Sequence, residues 1–389
     1  MPSNPLIAQS VNTPVDTDTI MNHSNACISP AAAPDAVFSM AAWQWLLTAA
    51  PTCAIVLGTI VGNVLLCLAI VHNRQLRNNI TNSFCASLAI SDLLLGLCVL
   101  PLSFAKLLSP EWKFGSVICN LYVATDVFLS TASILNLFVV SIDRYYAISR
   151  PLEYSAIITA PTAVALLALT WLLSALIAFV PIYSGWNTAD GRLQNSADER
   201  QCLFTVDNPY YSVTLGVGTF YIPLLILYVM YAKILKISYA HVQAIRSQTY
   251  HPSTAGHAKE ATPQHNPRSR SNSHSHVLRQ HRATLTLFII VGAFTACWLP
   301  YFTLFTVHPF GIIGTTPLVE EVALWLGYLN SFVNPFVYGM TNREYRAAFS
   351  KLLCSWRHTA KHNLATAHYH GHTHTHGQDH GQETDFICM

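Results

Sequence analysis

Seven long apolar segments constrain this chain more than any other feature. They run over Trp43–Val71, Ile80–Lys106, Val117–Ile148, Ile157–Tyr183, Tyr210–Ile237, Ala283–Val307 and Val319–Met340. A helix needs about 20 apolar residues to cross a bilayer core roughly 30 Å thick, and each segment reaches that length. The chain has 389 residues, of which 52% are hydrophobic and only 10% charged. A soluble domain carries about 25% charged residues. The expected fold is therefore an all-α membrane protein, a seven-transmembrane helix bundle over residues 43–340. Pro101, Pro181, Pro223, Pro300 and Pro335 fall inside five of the spans. A membrane bundle tolerates such kinks, because neighbouring helices and water re-satisfy the freed backbone groups.

Seven spans put the two termini on opposite sides. The residues before Trp43 contain no Lys or Arg. With this tail outside, only Lys106, Lys113, Arg192 and Arg200 of the 21 Lys and Arg lie outside. That asymmetry predicts an extracellular N-terminal tail (1–42) in a multi-pass protein of the plasma membrane. The first 35 residues lack the apolar core of a signal peptide, so the first span would direct insertion. Asn22-His23-Ser24 is a glycosylation sequon on the outer side; Asn79-Ile80-Thr81 matches the same pattern on the inner side, where it would be inert.

Three connections are long: the second outer loop, the third inner loop and the C-terminal tail. The third inner loop (238–282) scatters Pro, Ser, His and Arg without period and reads as disordered. An amphipathic stretch (341–354) follows the last span and predicts a short eighth helix. Beyond it lies a His-rich cytoplasmic tail (355–389). Its His368, His370, His372, His374 and His376 are able to bind Zn²⁺ or Cu²⁺, although a polar low-complexity tail is the plainer reading.

Asp126 and Arg144 lie in one apolar span, about five helical turns and roughly 27 Å apart. They share a face and approach opposite sides of the bilayer. An ionisable group inside a membrane helix is costly, which makes it a functional candidate. A carboxylate near the outside suggests a cationic ligand, and an arginine at the inner rim a switch read by a cytoplasmic partner. Cys119 and Cys202 both lie on the oxidising side, so a disulfide is expected to pin the second outer loop above Asp126. Cys27 is left over outside. Cys354 is a juxtamembrane palmitoylation candidate, whereas Cys388 fits no prenylation signal.

Ordered local patterns then converge. They are Gly62-Asn63-Val64, Leu88-Ala89-Ile90-Ser91-Asp92-Leu93, Asp143-Arg144-Tyr145, Trp171, Phe220-Tyr221-Ile222-Pro223, Cys297-Trp298-Leu299-Pro300 and Asn334-Pro335-Phe336-Val337-Tyr338. Together they resemble the rhodopsin-like G-protein-coupled receptors, from about residue 43 to 354. The aminergic branch is the most similar. Thr131-Ala132-Ser133-Ile134-Leu135-Asn136-Leu137-Phe138 and Leu324-Trp325-Leu326-Gly327-Tyr328 look like histamine receptors of the second type. One departure matters: where those receptors carry an aspartate on the fifth span, this chain has Leu215. Thr219, four residues on, does match.

The resemblance implies a small amine as ligand and a heterotrimeric G protein as partner, with a rise in cyclic AMP. Receptor kinases, arrestin and membrane lipid follow as further partners; nothing points to nucleic acid. Asp126 takes the place of the amine-binding aspartate. Tyr328 is placed to donate its hydroxyl to Asp126, while Trp298, Tyr301, Phe302, Trp325 and Tyr328 supply aromatic faces. Ser130 and Thr219 would meet the ligand's far end. Asp92 with Ser133, Asn330, Ser331 and Asn334 matches a sodium site, since oxygen ligands around one carboxylate suit a hard cation; the alternative is a protonated Asp92 in a polar network. Transmission would use Ile134, Pro223 and Phe294 below the pocket, then Tyr231, Pro335 and Tyr338, and finally Asp143, Arg144 and Tyr145. Many relatives have an acid at the foot of the sixth span; Gln280 stands there, so raised basal activity is expected.

Other classes fit worse. No nucleotide loop or catalytic triad spacing argues for an enzyme. A transporter would show a repeated half. An opsin needs a retinal-linking lysine where Tyr328 stands. Among amines, trace amines, serotonin and octopamine remain rivals to histamine. Thr219 without neighbouring serines disfavours catechols.

Overall fold

The computed structural model describes residues 34–109, 111–195, 200–249, 288–312, 314, 316 and 317–354. Asn22, Gln280, the His-rich tail and most of the third inner loop lie outside them. The chain divides at Leu46. Before that point the described residues are helical from Pro34; the bundle begins at Leu47.

Seven long helices appear in order. They are α1 (Pro34–His72), α2 (Ile80–Leu108), α3 (Gly115–Ser149), α4 (Ala160–Tyr183), α5 (Pro209–Thr249), α6 (Phe288–Phe310) and α7 (Pro317–Thr341). Thr48–His72 is the apolar part of α1, and α2 to α6 are likewise long and apolar enough to cross a membrane. In α7 the apolar run is broken by Asn330, Ser331 and Asn334, all buried. A further helix, α8, covers 343–354. It buries Tyr345 and Ala348 and packs Phe349 and Leu352 on the same core, one helical face. The helix α5 continues to Thr249. Residues 238–249, read from sequence as disordered loop, are therefore helical and continue α5 past the predicted span.

Local chemistry sets the helix starts. The Asn79, Thr159 and Asn208 side chains accept hydrogen bonds from the first backbone N–H groups of α2, α4 and α5. Proline opens α5 and α7, where its missing N–H loses nothing. Two interior prolines act differently. A π-helical turn at Leu95–Val99 precedes Pro101, and another at Val217–Tyr221 precedes Pro223. Proline cannot donate to the carbonyl one turn back and its ring crowds that turn. Widening the preceding turn relieves this, and it shifts the register of the side chains on either side.

The most buried of the six apolar helices is α3, which packs against α2, α4 and α5. Leu57, Val61, Val164, Leu172 and Leu225 point outward and stay exposed. Apolar side chains all around a helix are what a lipid-facing surface requires.

Candidate functional site

On α3, Asp126 points into the outer half of the bundle. Its Oδ2 accepts a hydrogen bond from the Tyr328 hydroxyl at 2.8 Å, and its Oδ1 one from Ser130 Oγ at 3.3 Å. Tyr328 is fully buried on α7. Its hydroxyl in turn accepts from Ser103 Oγ at 3.3 Å, and Ser103 shares a 2.7 Å bond with the Tyr122 hydroxyl. Among the described residues no basic side chain forms an ion pair with Asp126. The carboxylate thus has two donors and, among the described residues, no base within ion-pair distance.

A narrow cleft, open on one side, begins at Asp126. Ser130, Thr219, Trp298, Tyr301 and Phe302 line it, as do Ile134 and Leu215. Val127, Thr131, Phe204, Phe305 and Leu324 complete the wall. Sequence reasoning gave those five no role in it; Phe305 was discoverable as one turn beyond Tyr301, and Phe204 had no signal beyond lying two residues after Cys202. Trp325 and Tyr328 are not in the lining. Tyr328 stands behind Asp126, and Trp325 gives its indole N–H to Glu321 at 2.9 Å while packing edge-on against Tyr328. Thr219 donates its hydroxyl hydrogen to the Leu215 carbonyl at 2.6 Å, so it offers the cavity an acceptor only.

The aromatic wall continues downward. Phe302 stacks on Phe220 with centroids 4.3 Å apart and planes 6° from parallel; Phe220 then meets Phe294 at 5.8 Å. Trp298 lies against Gly327, where an added Cβ would come within 2.7 Å of the indole. Glycine there lets α6 and α7 approach. Above, the disulfide Cys119–Cys202, with Cα atoms 5.6 Å apart, ties the second outer loop to α3, as the sequence predicts.

Midway through the bundle, Asp92 is fully buried. Ser133 and Ser331 donate to its Oδ1 at 2.9 and 2.8 Å, and Asn334 to its Oδ2 at 2.8 Å. Asn330 is buried one position before Ser331 and is not one of these donors. Nearby, Asn63 donates to the Ser331 carbonyl at 3.1 Å and leaves its own Oδ1 without a partner. Both serine hydroxyls keep acceptor lone pairs while bonded to Asp92. A single carboxylate beside neutral oxygens is a donor set that a hard cation could use.

At the inner end, Asp143 is buried and collects four donors. Thr81 Oγ1 reaches it at 2.9 Å, the Tyr154 hydroxyl at 2.7 Å, and Arg144 Nε and Nη2 at 2.8 and 2.5 Å. Arg144 also bonds to Thr81. The arginine is thus held against Asp143 on its own helix and Thr81 on α2. Tyr145 meets Tyr146 edge-on at 5.7 Å. Tyr231 bonds to Ser141 at 2.9 Å, and Tyr338 packs on Tyr345 at 5.5 Å. Pro335 fills the space beside Gly62 of α1. Cys354 closes the described part of α8 and is partly exposed.

The chain has relatives among known proteins. The family model described as 7 transmembrane receptor (rhodopsin family) matches residues 62–338. The chain is 40% identical to the histamine H2 receptor of Cavia porcellus over 310 residues, 79% of each chain. It is 41% identical to the histamine H2 receptor of Homo sapiens over 302 residues, 77% of each. The octopamine receptor beta-1R of Drosophila melanogaster is 35% identical over 77% of this chain and 60% of its own.

Proposed function

The chain belongs to the rhodopsin family of seven-transmembrane receptors, and from that premise we propose that its outer cavity binds a small cationic amine. It is a receptor and not an enzyme. The observation that carries the proposal is the Asp126 carboxylate, held by Tyr328 and Ser130, in ion-pair contact with no described base and facing a cavity walled by Trp298, Tyr301 and Phe302. An ammonium 4 Å from a carboxylate gains about 4 kcal/mol at an effective dielectric of 20. A cation–π contact contributes about 0.5–2 kcal/mol. Asp126 therefore dominates affinity, and the aromatic wall sorts among amines.

A histamine-like ligand is favoured, because two H2 receptors are about 40% identical over most of the chain. Trace amines, serotonin and octopamine are the alternatives, since Leu215 supplies no acid for an imidazole. Binding would shift Trp298, Phe302, Phe220 and Phe294 and release Arg144 to a heterotrimeric G protein, raising cyclic AMP. The remaining parts of the proposal are a plasma-membrane location with the N-terminus outside, recognition by receptor kinases and arrestin, glycosylation at Asn22 and palmitoylation at Cys354. Asp92, Ser133, Ser331 and Asn334 would hold a sodium ion, which would stabilise the resting bundle. The test is a panel of biogenic amines applied to cells expressing the full chain, with cyclic AMP as readout. At least one amine should raise it; silence from every amine at normal surface expression would overturn the proposal.

A further inference from the structure

We infer that Tyr228 of α5 and Thr295 of α6 form a hydroxyl clasp on the lipid-facing surface, and that these two positioning residues hold the bundle in its resting arrangement. The inference rests on the receptor reading proposed above.

The contact has a fixed direction. The Tyr228 hydroxyl donates to Thr295 Oγ1 at 3.0 Å, while Thr295 gives its own hydrogen to the Val291 carbonyl, one turn back on α6, at 2.8 Å. A hydroxyl has one hydrogen to give and two lone pairs to offer. Thr295 is therefore the acceptor and Tyr228 the donor for as long as the Val291 bond stands.

The surroundings make this bond matter. Tyr228 is 42% exposed. Leu225, Ile226 and Val229 beside it on α5 are exposed too, as are Ile289 and Leu299 on α6. Both helices are long and apolar enough to cross a membrane, so this surface faces hydrocarbon. On a soluble surface water would replace a broken hydroxyl pair at little loss. In hydrocarbon a parted Tyr228 hydroxyl meets no water, and its desolvation is left uncompensated.

The clasp also lies next to the aromatic path from the cavity. Thr295 follows Phe294, which meets Phe220 at 5.8 Å, and Phe220 stacks on Phe302 of the cavity wall. With about 3.6 residues per turn, neighbours on a helix point about 100° apart. Phe294 accordingly faces the core, at 1% exposure, while Thr295 faces outward and is partly exposed. The seam between α5 and α6 is thus closed by rings inside and hydroxyls outside. A turn of α6 that moves Phe294 off Phe220 also carries Thr295 away from Tyr228. On the other side of the seam α5 is tied down: Tyr231, three residues after Tyr228, bonds to Ser141 of α3 at 2.9 Å. Two tyrosines one turn apart therefore give α5 opposite jobs. Tyr231 fixes α5 to α3, and Tyr228 holds α6 to α5 through a single bond that activation must break.

The experiment is a double-mutant cycle with two readouts on the full chain. Tyr228→Phe, Thr295→Val and the double variant are compared for melting temperature in lipid nanodiscs, and for agonist-free cyclic AMP in cells at matched surface expression. Each single variant should raise basal cyclic AMP about threefold, the equivalent of one interhelical hydrogen bond in a membrane, and the double variant should rise no further. Melting temperatures should be non-additive in the same way. Thr295→Ser keeps the acceptor and should match the parent in both. Additive effects in both readouts overturn the clasp. A coupled loss of melting temperature without a rise in basal cyclic AMP, in a parent chain that responds to histamine or another amine, makes the contact merely structural and overturns the inference while the receptor reading stands. Coupled melting in a parent that no amine activates keeps the contact and discards the receptor reading on which the inference rests.

Discussion

Tyr328 donates its hydroxyl hydrogen to Asp126 Oδ2 at 2.8 Å, across the gap between α7 and α3. This contact orients the carboxylate toward the cavity, and the Ser103–Tyr122 pair behind it fixes Tyr328 in turn. Ligand affinity and the α3–α7 spacing therefore share one hydrogen bond.

Replacing Tyr328 with Phe removes the bond and little volume. A hydrogen bond to a charged group is worth about 1.5–3 kcal/mol, so agonist potency should fall at least about tenfold. Cyclic AMP concentration–response curves read this directly. The maximal response should survive, because Asp126 keeps Ser130.

Leu215→Asp restores a carboxylate on the α5 wall, facing the ligand's far end and one turn above Thr219. Charge-assisted hydrogen bonding to an imidazole should raise histamine potency about tenfold. Unchanged potency would mean that histamine does not approach α5 at that position.

Tyr154→Phe strips Asp143 of one of its donors. The resting state loses about 1 kcal/mol, which shifts a two-state balance about fivefold toward the released arginine. Basal cyclic AMP without agonist should rise. A basal level equal to that of the parent chain would place the lock elsewhere.

Asp92→Asn keeps the size of the side chain and removes the charge that a cation needs. Agonist affinity measured in sodium chloride against potassium chloride should differ for the parent receptor and coincide for the variant. A sodium effect that persists in the variant would remove Asp92 from the site.

The sequence made the bundle legible because membrane physics leaves few choices. Seven apolar runs and a one-sided distribution of Lys and Arg are strong signals. Asp126 was legible for the same reason, as a lone acid between apolar residues, and Trp298, Tyr301 and Phe302 followed from the resemblance to the aminergic receptors. The loop side of the cavity wall was not legible. Phe204 lies in a loop without period, and its place depends on the Cys119–Cys202 disulfide and on amides from Asn187, Gln194 and Asn195. Trp325 was expected in the cavity wall, but Glu321 on the preceding turn takes its indole N–H. Pro101 and Pro223 announced irregular helices without revealing that a π turn would absorb each one. Tyr154, one tyrosine among many, gained meaning only when the second inner loop folded beneath Asp143.

The central claim rests on one negative charge, and its removal tests it most directly. Asp126→Asn preserves shape and a hydrogen-bond acceptor for Tyr328 while deleting the charge. Cell-surface expression and cyclic AMP response should be measured together across the amine panel. The account predicts normal expression and no response to any amine that activates the parent receptor. Retained potency at normal expression would contradict it.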